Sequence, residues 1–377
     1  MINFQKYYQF LQAKWIFKKP GKKKYVIYDG DSKDILQPYF PKKDTAVFYT
    51  RYEEINIYVL FKAILTSGLG KIFTNYEKIY FDYVKPKMVL NLVDMNLNFY
   101  KLKKNFPNIK FVGIQRTPRL ATRELAAFKD HKYLMLDYFF CFSKFHSIVF
   151  KKLIKIKKTI EIGSFVNNHF SFKSKKNNKI LFVGISSSEH IFDIDIKCLN
   201  LIAKYAQVKK ITKVGILLKP STRVSGKYKR AMNLLKDKLG KNFKYFKFLG
   251  GYSRKKNYLI ASKYKNVIFN RSTMGYECLA KKSRIVALTS LSSPPNYDWD
   301  YFEKRNYLID PFANDFKFKT EGFCWTTDAR PENFIKLVDK AFYRMTSTEW
   351  EQKVKKYFKN LTIYDPGNRK FKNFIKK

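Results

Sequence analysis

Short β-branched or aromatic runs, each leading into a longer helical pattern, recur along this chain. They are KKYVIYDG, TAVFYTRY, MVLNLVDMN, IKFVGIQ, YFFCFS and KTIEIGS in the first half, and KILFVGIS, KVGILLKP, FKYFKFLG, NVIFNRS and RIVALTS in the second. A strand with one wet face alternates apolar and polar residues. These runs do not, which predicts parallel sheets covered by helices on both faces. No short fixed period recurs, so a solenoid or propeller is excluded. A length of 377 residues suits two compact halves.

The polar stretch SFKSKKNNK, residues 171–179, precedes a new buried run from Ile180 and reads as the interdomain linker. After Arg330 and Pro331 the pattern turns helical, as PENFIKLVDKAFYRM and then STEWEQKVKKYFKN. Thr346 or Ser347 is the expected N-cap of the second, with Glu349 and Glu351 in its first turn. The expected organisation is α/β: a Rossmann-like N-terminal domain over 1–172, a Rossmann-like C-terminal domain over 177–345, and a helical segment over 346–377 that crosses the junction and packs back on the first domain.

An apolar share of 45% and an aromatic share of 18% exclude a disordered chain. The net charge of +46 will draw polyanions: nucleic acid, anionic lipid or phosphorylated substrates. Yet Lys is spread from end to end, and Lys, Asn, Ile, Phe and Tyr are all plentiful while Gly is scarce, a joint bias that an AT-rich genome also produces. Both origins of the charge stay open. Cys141, Cys198, Cys278 and Cys324 are far apart, with no CxxC and no neighbouring His, so neither a disulfide framework nor a zinc site is indicated. The opening MINFQKYYQFLQAKW has no basic-then-apolar leader pattern, and no stretch is long enough to span a bilayer. A cytoplasmic protein is expected, touching the inner face of the cytoplasmic membrane through its charge.

Open parallel sheets bind ligands beyond the carboxyl ends of their strands. The clearest such exit is NVIFNRSTMGYECLAKKSRIVALTS, residues 266–290. Here a buried strand gives way to a polar turn and then a helix. The helix start, with Ser272, Thr273 and Arg271, suits a diphosphate, and Glu277 one turn on could accept from ribose hydroxyls. The plainer alternative is that Ser272 or Thr273 caps the helix and Glu277 favours its dipole. Lys219 and Arg223 leave KVGILLKPSTR before a basic helix, although any single Lys in so basic a chain is more often a solvated surface charge. Ser186 and Ser187 follow ILFVGIS and could face phosphate, without the glycines of a P-loop.

In the first half, Asp94 follows MVLNLV and could take a proton from an acceptor hydroxyl, or cap a helix. Gln115 and Arg116 follow KFVGI. Asp29 and Asp31 are a carboxylate pair or turn residues around Gly30. Asn167 and Asn168 could meet an acceptor or satisfy backbone at the crossover. His131, His146 and His169 are isolated, and the DID at 193–195 lies inside a regular element, so no metal is expected.

The segment with Ser-Thr-x-Gly-Tyr-Glu between two strands resembles the donor site of GT-B glycosyltransferases. More closely, it is similar to bacterial surface-carbohydrate (O-antigen or capsule) biosynthesis proteins. The likeness runs from YVIYDGDSKDIL to IYDPGNRKF and takes in FVGIQRTPR, DYFFCFSKFHSIVFKK, IEIGSFVNNHF, ILFVGIS and LLKPSTR in order. Where such proteins carry a Gln-Asn-Gly or Gln-His-Gly turn, this chain has Gln115-Arg116-Thr117. The resemblance implies two Rossmann-like domains facing each other across a cleft, and transfer of a sugar from a nucleotide-sugar donor to a surface polysaccharide or lipid-linked glycan. It implies donor binding by Ser186, Ser187, Lys219, Arg223, Arg271, Ser272, Thr273 and Glu277, with Lys219 also stabilising the leaving nucleotide and Asp94 as base. Gln115, Arg116 and Asn167 fall on the acceptor side. No cofactor beyond the nucleotide sugar is implied, and UDP-, GDP- and CMP-linked donors stay open, with a lean to cytidine.

Two other functions compete. A nucleic-acid-binding protein would use the basic charge and the many Tyr and Phe residues, but no RRM, KH, helix-turn-helix or zinc-finger pattern is present. An epimerase acting on the nucleotide sugar itself would share the architecture.

Overall fold

In the computed structural model the described residues are 12–51, 53–67, 72–118, 128, 133–184, 189–220, 223, 227–270, 272–288, 322–326, 328 and 330–376. The chain divides into two units: residues 1–117, 123–166 and 369–377 form the first, and residues 118–122 and 167–368 the second.

The first unit is built on a six-stranded parallel sheet. Its strands are β2 (Tyr25–Tyr28), β3 (Thr45–Phe48), β5 (Met88–Asn91), β6 (Lys110–Ile114), β7 (Met135–Cys141) and β8 (Lys155–Glu161), in the order β3-β2-β5-β6-β7-β8. Two short strands, β1 (Lys14–Ile16) and β4 (Glu54–Asn56), pair separately. The helices are α1 (Lys33–Leu36), α2 (Ile57–Ser67), α3 (Ile72–Val84), α4 (Leu97–Asn105) and α5 (Lys144–Leu153), with α6 (Phe165–His169) at the division between the units. All four residues of β2 and of β5 are buried, which explains their lack of alternation. The core is largely aromatic: Tyr28, Phe48, Phe81, Phe99 and Phe111 lie within 5.2–6.5 Å of one another in successive ring contacts. These rings are closed to solvent, so they offer no stacking platform for bases.

The second unit repeats the plan with β9 (Asn177–Val183), β10 (Val214–Leu218), β11 (Phe246–Gly250), β12 (Tyr264–Phe269), β13 (Arg284–Leu288) and β14 (Trp325–Thr326), in the order β11-β10-β9-β12-β13-β14, all parallel. Its helices are α7 (Glu189–Val208), α8 (Lys227–Leu239), α9 (Arg254–Ala261), α10 (Thr273–Ala280), α11 (Pro331–Asp339) and α12 (Ser347–Phe358). α12 opens with a capping box: Thr346 Oγ1 accepts from Glu349 N at 3.2 Å, and Glu349 accepts from Thr346 N at 2.8 Å.

The tail from residue 346 is shared between the units. Trp350, Phe358 and Leu361 are buried in the second unit's core, where Phe323 meets Trp350 at 5.3 Å. Only α13 (Arg369–Lys376) joins the first unit, laying Phe371 and Phe374 against Phe140 of β7 at 5.1 and 5.2 Å. Asn168 anchors the turn before α13: its Oδ1 accepts from Asp365 N at 3.0 Å and its carbonyl from Gly367 N at 2.7 Å. The four cysteines are buried and unbridged. Among the described residues no helix is long and apolar enough to cross a membrane, and no group of three or more His, Cys, Asp or Glu is placed to hold a metal ion.

Candidate functional site

Because each sheet is parallel, all its strands end at one edge, and that edge gathers loops far apart in sequence. In the second unit the corner between β12 and α10 is the most unusual. Gly184, at the end of β9, lies so close to Asn270 that a Cβ would stand 2.8 Å from the Asn270 carbonyl oxygen. Asn270 is 2% exposed, and among the described residues its Oδ1 has no hydrogen-bond partner. Two residues on, Ser272 takes extended backbone as N-cap of α10 but makes no side-chain cap bond, so the cap is not what its hydroxyl serves here. Gly275 lets the first turn of α10 settle on β12, since a Cβ would run into the ring of Phe269. The corner therefore presents a helix start with first-turn amides, two hydroxyls, and a buried oxygen able to accept a hydrogen bond.

Glu277 is 3% exposed and sits beneath α10, where its Oε2 accepts from Tyr258 Oη at 2.6 Å. Burial, then the Glu277 charge, pushes the Tyr258 phenol well above its usual range, so this donor keeps its proton. Asn167 belongs to this same unit; its Nδ2 donates to the Glu277 carbonyl at 3.1 Å. Lys176 reaches under the helix to the Lys281 carbonyl and Ser283 Oγ at 2.7 and 2.6 Å, and burial pulls it down to about 8. These contacts fix the helix whose start faces the edge.

Lys219 is exposed at the exit of β10. Arg223 is half-buried: its Nε donates to the Gly250 carbonyl at 2.8 Å, an Nη donates to the Phe248 carbonyl at 3.2 Å, and its plane lies over Tyr228 at 4.0 Å. Gly250 and Gly251 take φ of +69° and +83° to pass beneath it. Asn257 completes this loop, donating to the Leu218 carbonyl at 2.6 Å and accepting from Gly251 N at 3.1 Å. Ser186, Ser187 and Arg271 lie outside the described residues.

The first unit's edge is different in kind. Asp29, 2% exposed with φ +85°, accepts from Asp31 N at 3.0 Å and from Thr50 Oγ1 at 3.1 Å. Arg51 bridges Asp29 and Asp31 at 3.4 and 2.8 Å, and Arg116 stands 3.8 Å from Asp31. Gln115 is buried: its Oε1 accepts from Phe142 N at 3.0 Å and its Nε2 donates to the Thr117 carbonyl at 2.9 Å. Asp94 is 1% exposed, and its carbonyl accepts from Tyr100 Oη at 2.7 Å. Thr50, Arg51, Asn257 and Tyr258 carry these edges without any motif of their own, whereas Asn270 lies in the polar turn of residues 266–290 but nothing there set it apart from its neighbours.

No curated protein matches the chain. Among solved structures, UDP-GlcNAc 2-epimerase from Methanocaldococcus jannaschii superposes with a TM-score of 0.52 at 12% identity, covering 94% of this chain and 100% of that one. S. aureus MnaA, solved with UDP, gives 0.51 at 12% identity over 94% of each chain. The M. jannaschii enzyme in complex with UDP-GlcNAc and UDP gives 0.50 at 12% identity over 89% of this chain and 98% of that one. At such identities the likeness establishes the fold, two Rossmann-like units of the GT-B kind. Residues 187–377, just over half of the chain, match a family described as "putative O-antigen biosynthesis protein". By that match and this architecture, the chain belongs to an O-antigen biosynthesis protein family built on the GT-B fold.

Proposed function

We propose that the chain is a glycosyltransferase that passes a sugar from a nucleotide-sugar donor to a surface polysaccharide or lipid-linked glycan. The observation that carries this reading is the β12–α10 corner. A helix start suited to a diphosphate stands two residues from the buried oxygen of Asn270, unmet among the described residues, which suits a sugar or ribose hydroxyl. A nucleotide sugar brings both groups together. Lys219 and Arg271 are assigned the negative charge that grows on the leaving nucleotide, and Ser186, Ser187, Ser272 and Thr273 its phosphate oxygens. In this reading Arg223 and Glu277 act by holding the loop and the helix. Asp94, Gln115 and Arg116 are assigned to the acceptor side, with Asp94 as the base. Chemistry of this kind rests on positioning and charge stabilisation, with no metal required.

A second reading, an epimerase acting on the nucleotide sugar, draws support from the 2-epimerases that share the fold. The two separate by product. Incubated with nucleotide sugars and a lipid-linked glycan, a transferase releases nucleotide only when acceptor is present. An epimerase gives the C2 epimer by NMR without acceptor, and that outcome would replace the first reading. Thermal shifts with CMP, CDP, UMP, UDP, GDP and ADP at about 0.15 M salt identify the base. Equal small shifts with all six, fading as salt rises, would mark bulk charge and sink both readings.

A further inference from the structure

On the first unit, α2 buries Val59 and Ala63 and turns Tyr58, Phe61 and Leu65 outward at 46%, 62% and 69% exposure. The spacing i, i+3, i+7 places these three on one face of the helix. The pairing of β1 with β4 brings Phe17, 69% exposed, beside the start of the same helix. Large apolar side chains exposed together on one helix face are the feature by which a docking face is recognised.

The stripe has a basic neighbour. At the amino ends of β2, β5 and β6, the sheet edge opposite Asp29 and Asp31, a cavity of about 1480 Å3 is lined by eight lysines against one carboxylate, Asp82. Its lining also includes Tyr25, Phe81 and Phe374. Lys62 lines this cavity and sits on α2 between Phe61 and Leu65, so stripe and basin share one helix. A soluble polyanion would use the lysines and leave the stripe in water. A bilayer surface uses both, with acyl chains at the apolar face and anionic headgroups at the lysines.

We infer that this face of the first unit is a docking site for an anionic phospholipid surface. It holds the protein on the bilayer by shallow insertion of α2, with the lysine-lined basin gripping headgroup phosphates.

The test is flotation of the full chain with phosphatidylcholine vesicles, with and without phosphatidylglycerol, at about 0.15 M salt. The wild type floats with the anionic vesicles alone. Phe61→Ser with Leu65→Ser, both exposed positions, lowers the partition coefficient about tenfold, as does Lys87→Glu with Lys158→Glu. Lys229→Glu with Lys236→Glu on α8, an equal charge change in the other unit, leaves it within about twofold. Circular dichroism confirms that each variant is folded. The inference is overturned if the stripe variant floats as well as wild type, if the α8 pair loses as much as the Lys87 and Lys158 pair, or if anionic vesicles are not bound. The second outcome would assign binding to the bulk charge of +46.

Discussion

The two units share one plan, six parallel strands with their carboxyl ends gathered, yet finish those ends in opposite ways. On the first unit the edge is already paired with itself: Asp29 and Asp31 share Arg51, Asp31 has Arg116 near it, and both ends of the Gln115 amide go to backbone. On the second, the edge is made of small residues that bring backbone close, with an Asn270 oxygen unmet among the described residues and a helix start without its side-chain cap. Self-paired charges define a rigid surface, whereas unmet groups at a close-packed corner carry a cost that a ligand can repay. On the function proposed above, donor binding falls to the second unit, and the first presents charges that are already paired.

The hardest test of this contrast is Gly275→Val. The new side chain collides with Phe269, so α10 must move off β12. We expect a loss of about 3 kcal/mol in unfolding free energy and no detectable stabilisation by nucleotide. Retained nucleotide shifts would show that the corner is not the site.

A comparably large effect, tied to pH, is expected behind the first edge. Tyr28, the last residue of β2 and the neighbour of Asp29, donates to the carboxylate of Glu77, and burial pushes Glu77 up from 4.5 to about 7. Between those values the folded chain holds a proton that the unfolded chain has lost. Stability therefore falls as pH rises from 4.5 to about 7 and stays lower above it, by about 3 kcal/mol at 1.36 kcal/mol per unit. Glu77→Gln keeps an acceptor for Tyr28 and should remove that slope, melting higher than wild type at pH 8 and nearly level with it at pH 4. An unchanged slope would place the titrating group elsewhere.

Much of the framework was legible because it rests on local pattern. β2, β5, β10 and β13 announce themselves as unbroken apolar or aromatic runs because they are buried throughout, whereas the edge strand β8, KIKKTIE, is exposed or half-buried along its length and was legible only by its place in the strand-then-helix order. The capping box at Thr346 and Glu349 is likewise a matter of four adjacent residues. What escaped is short or distant. β1, β4 and β14 have two or three residues each, too few for a period, and the Asn168 anchor joins positions 197 apart. The helix start at Ser272 was readable as turn chemistry, but the Tyr258–Glu277 pair was not, because nothing local says that a carboxylate so near the helix start turns inward. Arg51 was invisible for another reason: among 76 basic residues, sequence gives no contrast by which to choose one.

Asn270→Ala separates affinity from architecture. Removing this buried acceptor should change the stability of the unliganded chain by less than about 1 kcal/mol, because among the described residues the Asn270 oxygen has no partner to lose. Nucleotide-sugar affinity should fall about tenfold, or about 1.4 kcal/mol, in calorimetric titration. If stability falls and affinity does not, Asn270 is a packing residue.

The smallest effect belongs to the first edge and decides what its charges are for. Arg116 stands 3.8 Å from Asp31, and its side chain is about one-third exposed, so solvent screens the bridge. Arg116→Ala should cost less than about 0.5 kcal/mol by thermal melting. If Arg116 serves only to pair with Asp31, kcat/KM for the acceptor stays near wild type. If Arg116 meets an acidic acceptor, kcat/KM drops about tenfold while the melting temperature holds, because a surface ion pair worth little to folding can be worth a full charge-assisted hydrogen bond to a bound anion. That split would make the first edge a binding surface in its own right, and the contrast between the units would become one of ligand rather than of rigidity.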